Sequence, residues 1–120
     1  MSENKTFYEP YQPIIDALLD KHAMEVSVHD LSSVSGFADI FIVAVSRSEL
    51  NNRTLKDEAQ DKLEEHGLTC RVEGETSNKW TLIDAGDVIV NIMSREGRDF
   101  YRLDSLWGDA PTKRFFDQDD

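Results

Sequence analysis

The sequence contains a single cysteine, Cys70, among its 120 residues. No disulfide can form within the chain, which excludes a disulfide-rich secreted domain and favours a reducing compartment. A chain of this length has room for one hydrophobic core, which it can build without disulfides or a structural metal. We therefore expect one domain, in which Cys70 serves as a small apolar side chain.

Long apolar runs are also missing. The longest, from Ile40 to Val45, has about six residues, whereas a helix needs roughly 20 to cross a bilayer. The N-terminal residues Met1 to Thr6 lack both the basic start with an apolar stretch of a signal peptide and the arginine-rich composition of a transit peptide. We expect a soluble, cytoplasmic protein without a membrane segment.

Positive charge is scarce. The chain has 13 lysines and arginines against 24 aspartates and glutamates, which gives a formal net charge of −11. Such a field repels phosphate backbones and anionic lipid headgroups and attracts basic partners. Direct binding to DNA or to a membrane is therefore not expected, although Arg95, Arg98 and Arg102 leave a local basic patch open.

Motifs that hold a nucleotide or a metal are absent. No Gly-x-Gly-x-x-Gly or Gly-Lys-Ser/Thr loop occurs, and the turn from Ser46 to Ser48 has no glycine that would let backbone amides approach a phosphate. His22, His29 and His66 have no metal-ligand spacing with one another or with Cys70. We expect these histidines at the surface or at helix ends.

Two aspartates are the only candidates for chemistry. Asp84 and Asp87 stand on either side of a predicted turn, where paired carboxylates could hold a divalent metal for nucleotidyl transfer. Aspartates that flank a turn glycine are also favoured because their side chains bond local backbone groups. We favour this structural interpretation and predict no enzymatic activity, no metal and no cofactor.

The pattern of apolar residues predicts an α/β domain over residues 1–111. Helical spacing indicates three helices, from Tyr11 to Ala23, from Ser48 to His66 and from Arg95 to Trp107. Gly67 is placed to end the second helix. The apolar stripes of the first two helices are Ile14, Ile15, Leu18 and Leu19, and Leu55, Ala59 and Leu63. Alternating or continuous apolar stretches indicate five strands, and the continuous run from Phe41 to Val45 predicts a central strand buried on both faces. The strands run from Glu25 to Leu31, from Phe41 to Val45, from Leu68 to Glu73, from Trp80 to Asp84 and from Asp87 to Met93.

Two further expectations concern connections and ends. Gly86 supplies the positive φ of a tight turn, so strands four and five should form an antiparallel hairpin. Residues 112–120 mix charges with two phenylalanines and end in acids. We expect this segment to be a flexible acidic tail whose removal leaves the melting temperature nearly unchanged.

Trp80 is the strongest candidate for a binding anchor. It opens strand four beside a polar loop, where an indole is only partly covered, and large amphipathic side chains often anchor interfaces. A tryptophan folded onto its own sheet is an equally good interpretation of the sequence. On strand five, Ile89, Asn91 and Met93 share a face that contains a polar residue, so we expect that face to be partly open.

Four motifs in order resemble the ribosomal silencing factor family, also called the iojap-like family. They are Phe37-Ala38-Asp39-Ile40-Phe41-Ile42-Val43-Ala44, Arg71-Val72-Glu73-Gly74, the stretch from Trp80 through Asp87-Val88-Ile89-Val90-Asn91-Ile92-Met93, and Tyr101-Arg102-Leu103-Asp104-Ser105-Leu106-Trp107. The resemblance covers about residues 12–111. It implies a mixed five-stranded sheet flanked by helices, with a nucleotidyltransferase-like topology that lacks the active site, and a homodimer in the free protein.

The same resemblance implies a function without a cofactor. Members bind the large ribosomal subunit through its fourteenth protein (uL14), block association with the small subunit and so repress translation, and organellar relatives assist large-subunit assembly. Carried over by position, the partner-binding residues are Trp80, Asp84, Asp87, Asn91, Met93 and Tyr101. A homodimer that acts as an assembly scaffold and a metal-dependent nucleotidyltransferase are the alternative functions.

The chain departs from the family's pattern at three places. Ser46-Arg47-Ser48-Glu49-Leu50-Asn51 stands where the family usually has Gly-x-Ser-x-Arg-Gln, and Asn91 replaces a usual histidine. The acidic segment after Pro111 is expected to be an addition. These departures affect fine contacts and dimer geometry more than the docking surface.

Overall fold

The computed structural model describes residues 7–32, 39–74, 80–97 and 111–116. A short 3-10 helix, Glu9–Tyr11, leads into the first of the two α-helices that are described along their whole length. The α-helices are α1 (Gln12–Asp20) and α2 (Glu49–Glu65). The strands are β1 (Glu25–Asp30), β2 (Ile40–Ser46), β3 (Arg71–Glu73), β4 (Trp80–Asp84), β5 (Val88–Ser94) and β6 (Thr112–Phe116). Most of the third predicted helix lies outside the described residues.

One mixed sheet organises the domain, with the strand order β3-β4-β5-β2-β1-β6. Its centre is the parallel pair β2 and β5, in which Val43 lies opposite Asn91. Every residue of β2 is buried, which confirms the prediction of a central strand covered on both faces. The other neighbouring strands pair antiparallel, including the predicted hairpin of β4 and β5.

Both helices pack on one face of the sheet. Their apolar stripes are the predicted ones, and they meet every second residue of the central strands in a continuous core. The buried apolar residues of the two helices are Ile14, Ile15, Leu18, Leu55, Ala59 and Leu63. In the described part of the chain, no helix is long and apolar enough to cross a membrane.

The ends of α2 follow local hydrogen bonding. Ser48 caps the start, where its hydroxyl oxygen accepts a hydrogen bond from the backbone N–H of Asn51 at 3.0 Å. At the other end, the backbone N–H of Leu68 donates to the carbonyl of Leu63 and that of Gly67 to the carbonyl of Glu64. This pattern is a Schellman motif, and it confirms Gly67 as the predicted stop.

The opposite face of the sheet is buried as well, and part of it is polar. Ser27 and His29 on β1 are almost fully buried. The two ring nitrogens of His29 lie 3.0 Å from the hydroxyl of Ser27 and 3.0 Å from that of Thr112 on β6. The prediction of a surface position for His29 is therefore wrong, because two hydroxyl groups satisfy its ring inside the protein.

Strand β6 corrects two expectations. Among the described residues the sheet has six strands instead of the five expected, because residues 112–116 pair antiparallel with β1. Phe115 packs against the main core, and its ring makes an edge contact with Tyr8 at 5.5 Å between centroids. Arg114 forms an ion pair with Glu25 at 3.0 Å. The predicted flexible tail is wrong for these five residues; residues 117–120 lie outside the described part.

Replacement of Phe115 by alanine should lower the free energy of unfolding by about 2 kcal/mol, because a ring packed on the core is removed. The adjacent Phe116 is 58 % exposed and serves as the matched control; Phe116→Ala should change stability by less than about 0.5 kcal/mol. Urea denaturation of the two variants measures the difference. Equal losses of stability in the two variants would contradict the packing of Phe115 against the core.

Candidate docking site on strand β4

Strand β4 alternates between buried and half-buried residues. Thr81 and Ile83 are buried toward the helices, whereas Trp80, Leu82 and Asp84 are half-buried and share the opposite face. A strand rises by about 3.3 Å per residue, so this row spans roughly 13 Å. Trp80 and Asp84 are among the residues predicted from the sequence, whereas Leu82 is not, although the alternation within β4 places it between them.

The indole of Trp80 is held by the neighbouring strand. Its Nε1–H donates a hydrogen bond to Oδ1 of Asn91 at 2.8 Å. Trp80 lies opposite Met93 and Leu82 lies opposite Asn91, so the two bonded side chains are diagonal neighbours on one face. Asn91 has no exposed surface, and its Nδ2 donates to the carbonyl of Ile42 at 3.4 Å.

Gly74, directly after the edge strand β3, lies close to the backbone of Trp80. A Cβ atom at this position would lie 2.6 Å from the carbonyl oxygen of Trp80, and the residue has a φ of +77°. The carbonyl of Gly74 also accepts a hydrogen bond from the hydroxyl of Thr81 at 3.3 Å. Any side chain at residue 74 would therefore push the backbone of Trp80 out of place.

The β4–β5 hairpin places the two candidate aspartates differently. Oδ1 of Asp84 accepts a hydrogen bond from the backbone N–H of Gly86 at 2.9 Å, and Gly86 has a φ of +91°. This bond confirms the structural interpretation of Asp84. Asp87 is exposed, and its backbone carbonyl accepts from the N–H groups of Asp39 and Ile40, both at 3.1 Å. The hairpin is thereby fixed to the start of β2.

Four aspartates gather at this end of the sheet, which we call the acidic end: Asp30, Asp39, Asp84 and Asp87. The register brings them together, because Asp30 pairs with Ile40 and the N–H of Asp39 donates to Asp87. Arg71, opposite Asp84, is the neighbouring cation across the β3–β4 pair. Burial, and then the charges of Asp87 and Asp39, raise the pKa of Tyr11. The acidic end therefore carries a negative potential that suits a basic partner.

The metal-enzyme alternative gains no support from the placement of these groups. A cavity of about 600 Å³ lies beyond the carboxyl ends of β2 and β5, the usual ligand position in open α/β sheets. Asp84 and Asp87 lie at the opposite end of these strands, roughly 20 Å away. Two arginines and two glutamates line the cavity, so their charges cancel. Within the described ranges, no group of three or more His, Cys, Asp or Glu side chains could hold a metal ion.

The remaining predicted site residues differ in exposure. Asn91 and Met93 are both 0 % exposed, so in this structure neither side chain offers surface to a partner. The expectation of a partly open face on β5 is wrong for these positions. Tyr101 lies outside the described residues. Among the predicted residues, the structure brings Trp80 into contact with Asn91 and fixes Asp84 and Asp87 on one hairpin.

A methyl group at residue 74 tests the support of Trp80. Gly74→Ala should destabilise the protein by at least about 1 kcal/mol more than Gly67→Ala, because both positions have positive φ but only residue 74 also meets backbone. Thermal unfolding gives the stabilities, and the fluorescence spectrum reports on Trp80 when it is recorded in a Trp107→Phe background, since the chain has two tryptophans. Equal losses in the two variants, with an unchanged spectrum, would contradict the predicted clash.

Asp87→Asn should lower the pKa of Tyr11, because one of the charges that raise it is removed. The folded state holds the phenol proton more tightly than the unfolded chain. The resulting stability is present below the ordinary tyrosine pKa and is lost as the pH rises through the folded value. Ultraviolet absorbance titration measures the shift, with Tyr11→Phe identifying the signal. Asp16→Asn, an exposed change on α1, should leave it unaltered.

This chain is similar to a described protein family and to individual members of that family. The family model described as "Ribosomal silencing factor during starvation" matches residues 4–120. This range includes the C-terminal segment, so the expectation that residues after Pro111 are an addition to the family is wrong. A ribosomal silencing factor from Halalkalibacterium halodurans is 35% identical over 87% of this chain and 90% of its own length.

A solved structure and a distant relative extend the comparison. The crystal structure of a protein from Chromobacterium violaceum superposes with a TM-score of 0.78 and 35% identity, and the match covers 83% of this chain and 84% of that one. A mouse protein named "Mitochondrial assembly of ribosomal large subunit protein 1" is 24% identical over 87% of this chain and 46% of its own length. The chain belongs to the ribosomal silencing factor family.

Proposed function

We propose that this protein binds the large ribosomal subunit through the subunit's fourteenth protein and blocks association with the small subunit, which represses translation. Family membership supports a ribosomal silencing role. The observation that carries the mechanism is the half-buried indole of Trp80, fixed on the sheet face beside Leu82 and Asp84. Bound at the subunit interface, the domain excludes the small subunit by its volume and needs no catalytic group.

The composition of the β4 surface suits such docking. Trp80 and Leu82 supply apolar area, and tryptophan is among the residues that most often dominate binding energy. The acidic end and the net charge of −11 complement a basic ribosomal protein. Complementary charge accelerates encounter, whereas the desolvated apolar centre slows dissociation. We assign direct contact to Trp80, Leu82, Asp84 and Asp87.

Large-subunit assembly is a second candidate function. The name of the mouse relative supports it, since that protein is named for assembly of the mitochondrial large subunit. The same docking surface would serve both roles, because each requires binding to the large subunit. Depletion of the protein separates them: immature large-subunit particles at normal nutrient supply favour assembly, and mature subunits with raised subunit joining in starvation favour silencing.

Two further properties belong to the proposal. We expect the protein to act in the cytoplasm, where ribosomal subunits join, and to form a homodimer when free. Sedimentation velocity measures the oligomeric state across a concentration series. A species of constant monomer mass at every concentration would remove the homodimer from the proposal.

Trp80→Ala should weaken binding to large subunits by about 2 kcal/mol or more, because the central anchor is truncated. Phe116→Ala is the matched control, since Phe116 is an exposed aromatic residue about 19 Å away across four strands. Co-sedimentation of purified variants with isolated large subunits measures the affinity. An unchanged affinity of Trp80→Ala would remove Trp80 from the site.

The proposed function is tested by adding small subunits to large subunits that have been incubated with the protein. We expect the protein to sediment with large subunits alone and to lower the yield of joined ribosomes. The yield should recover with Trp80→Ala. If the wild-type protein sediments with neither subunit, or binds without lowering the yield, the blocking mechanism is wrong.

A further inference from the structure

The hydrogen bond between Trp80 and Asn91 joins a partly exposed side chain to a fully buried one. Trp80 is half-buried, whereas Asn91 is 0 % exposed. The indole Nε1–H donates to Oδ1 of Asn91 at 2.8 Å, a length typical of a well-formed bond. The amide of Asn91 is itself oriented, because its Nδ2 donates to the carbonyl of Ile42 on the central strand β2 at 3.4 Å.

This chain of contacts connects the surface to the most buried part of the sheet. β2 is buried along its whole length and pairs in parallel with β5, which carries Asn91. An indole tied to this pair has one orientation, whereas an untied indole at a strand end would sample several rotamers. Binding to a fixed side chain costs less conformational entropy than binding to a mobile one.

We propose that Asn91 is a positioning residue, which holds the indole of Trp80 in the orientation that a partner recognises without touching the partner itself. This inference rests on the proposed function, because it assigns Asn91 a role in docking. It replaces the sequence-based expectation that Asn91 faces the partner. An imidazole nitrogen at residue 91 could accept the same hydrogen bond.

The bond also defines what Trp80 can offer. Its Nε1–H donor is engaged with Asn91, so this donor is not offered to a partner. A ring face binds aliphatic chains and cations, and the stem and charge of a lysine or arginine combine both. We therefore expect a basic side chain of the partner to contact Trp80, which agrees with Asp84 on the same face of β4 and with Asp87 on the following turn.

A purely structural role for Asn91 predicts a different result from a positioning role. If Asn91 only satisfies buried polar groups, its replacement lowers stability and leaves the affinity of the folded protein unchanged. If Asn91 acts through the indole, its effect on affinity must disappear once the indole N–H is removed. A double-mutant cycle between residues 80 and 91 separates these cases.

The experiment compares wild type with Asn91→Leu, Asn91→His, Trp80→Phe and the double variant Asn91→Leu/Trp80→Phe. Ile15→Val, a core change in α1 on the other face, controls for lost stability alone. Affinity for isolated large subunits is measured by co-sedimentation at a temperature at which each variant is folded. Hydrogen exchange of the indole N–H, followed by NMR and assigned by its absence in Trp80→Phe, reports on the bond in the free protein.

We expect Asn91→Leu to bind about tenfold more weakly and to exchange its indole proton faster, as loss of one buried hydrogen bond predicts. Asn91→His should bind within about threefold of wild type, because the acceptor is restored. In the Trp80→Phe background, Asn91→Leu should have no further effect on affinity, and Ile15→Val should bind like wild type. If Asn91→Leu is unfolded, the affinities of Asn91→His and Trp80→Phe provide the test.

Wild-type affinity in Asn91→Leu, or an equal loss with and without the indole N–H, would overturn the positioning role. If Asn91→Leu is unfolded, a Trp80→Phe variant that binds like wild type would overturn it as well. A wild-type protein that does not bind large subunits would overturn the proposed function and the docking role of Asn91 with it. The exchange rates then still show whether Asn91 holds the indole, so the two failures are distinguishable.

Discussion

The parallel pairing of β2 with β5 is the constraint on which the rest of the domain depends. Two strands at the centre of a six-stranded sheet are covered by neighbours on both sides, and their residues are buried on both faces. The connection between parallel strands must cross over the sheet. Along the chain, the connection from β2 to β5 consists of α2 followed by β3 and β4. Because the crossover places α2 on one face of the sheet, it also fixes that Trp80 lies on the opposite face.

Local patterns were sufficient for the elements that this centre organises. The unbroken apolar run of β2 predicted burial on both faces, and the spacing of Leu55, Ala59 and Leu63 predicted the inner stripe of α2. The turn at Gly86 predicted the β4–β5 hairpin. In each case the information lies within about 20 residues of sequence, at the periods of a helix or a strand. Partnership between distant strands carries no such signal.

The predictions that were wrong concern contacts between residues that are far apart in the sequence. The sequence of β6 is charged, like that of a flexible tail. These residues form a strand because they pair with β1. His29 is buried because Ser27 and Thr112 satisfy its ring, and Thr112 is 83 residues away. The candidate site shows the same limit. Residue types indicated Trp80, whereas the support of its indole by Asn91, the presence of Leu82 beside it and the burial of Met93 follow from strand register alone.

The pairing of β6 with β1 also has a consequence for how the protein is made. During synthesis β1 emerges well before the strand that covers its outer edge, since 83 residues separate His29 from Thr112. At roughly 5–20 residues per second, this edge waits on the order of ten seconds for its partner. Unpaired edges attract other strands. The nascent chain is therefore most exposed to wrong pairing between the synthesis of β1 and that of β6, and the pairing of β1 is complete only once residues 112–116 have been made.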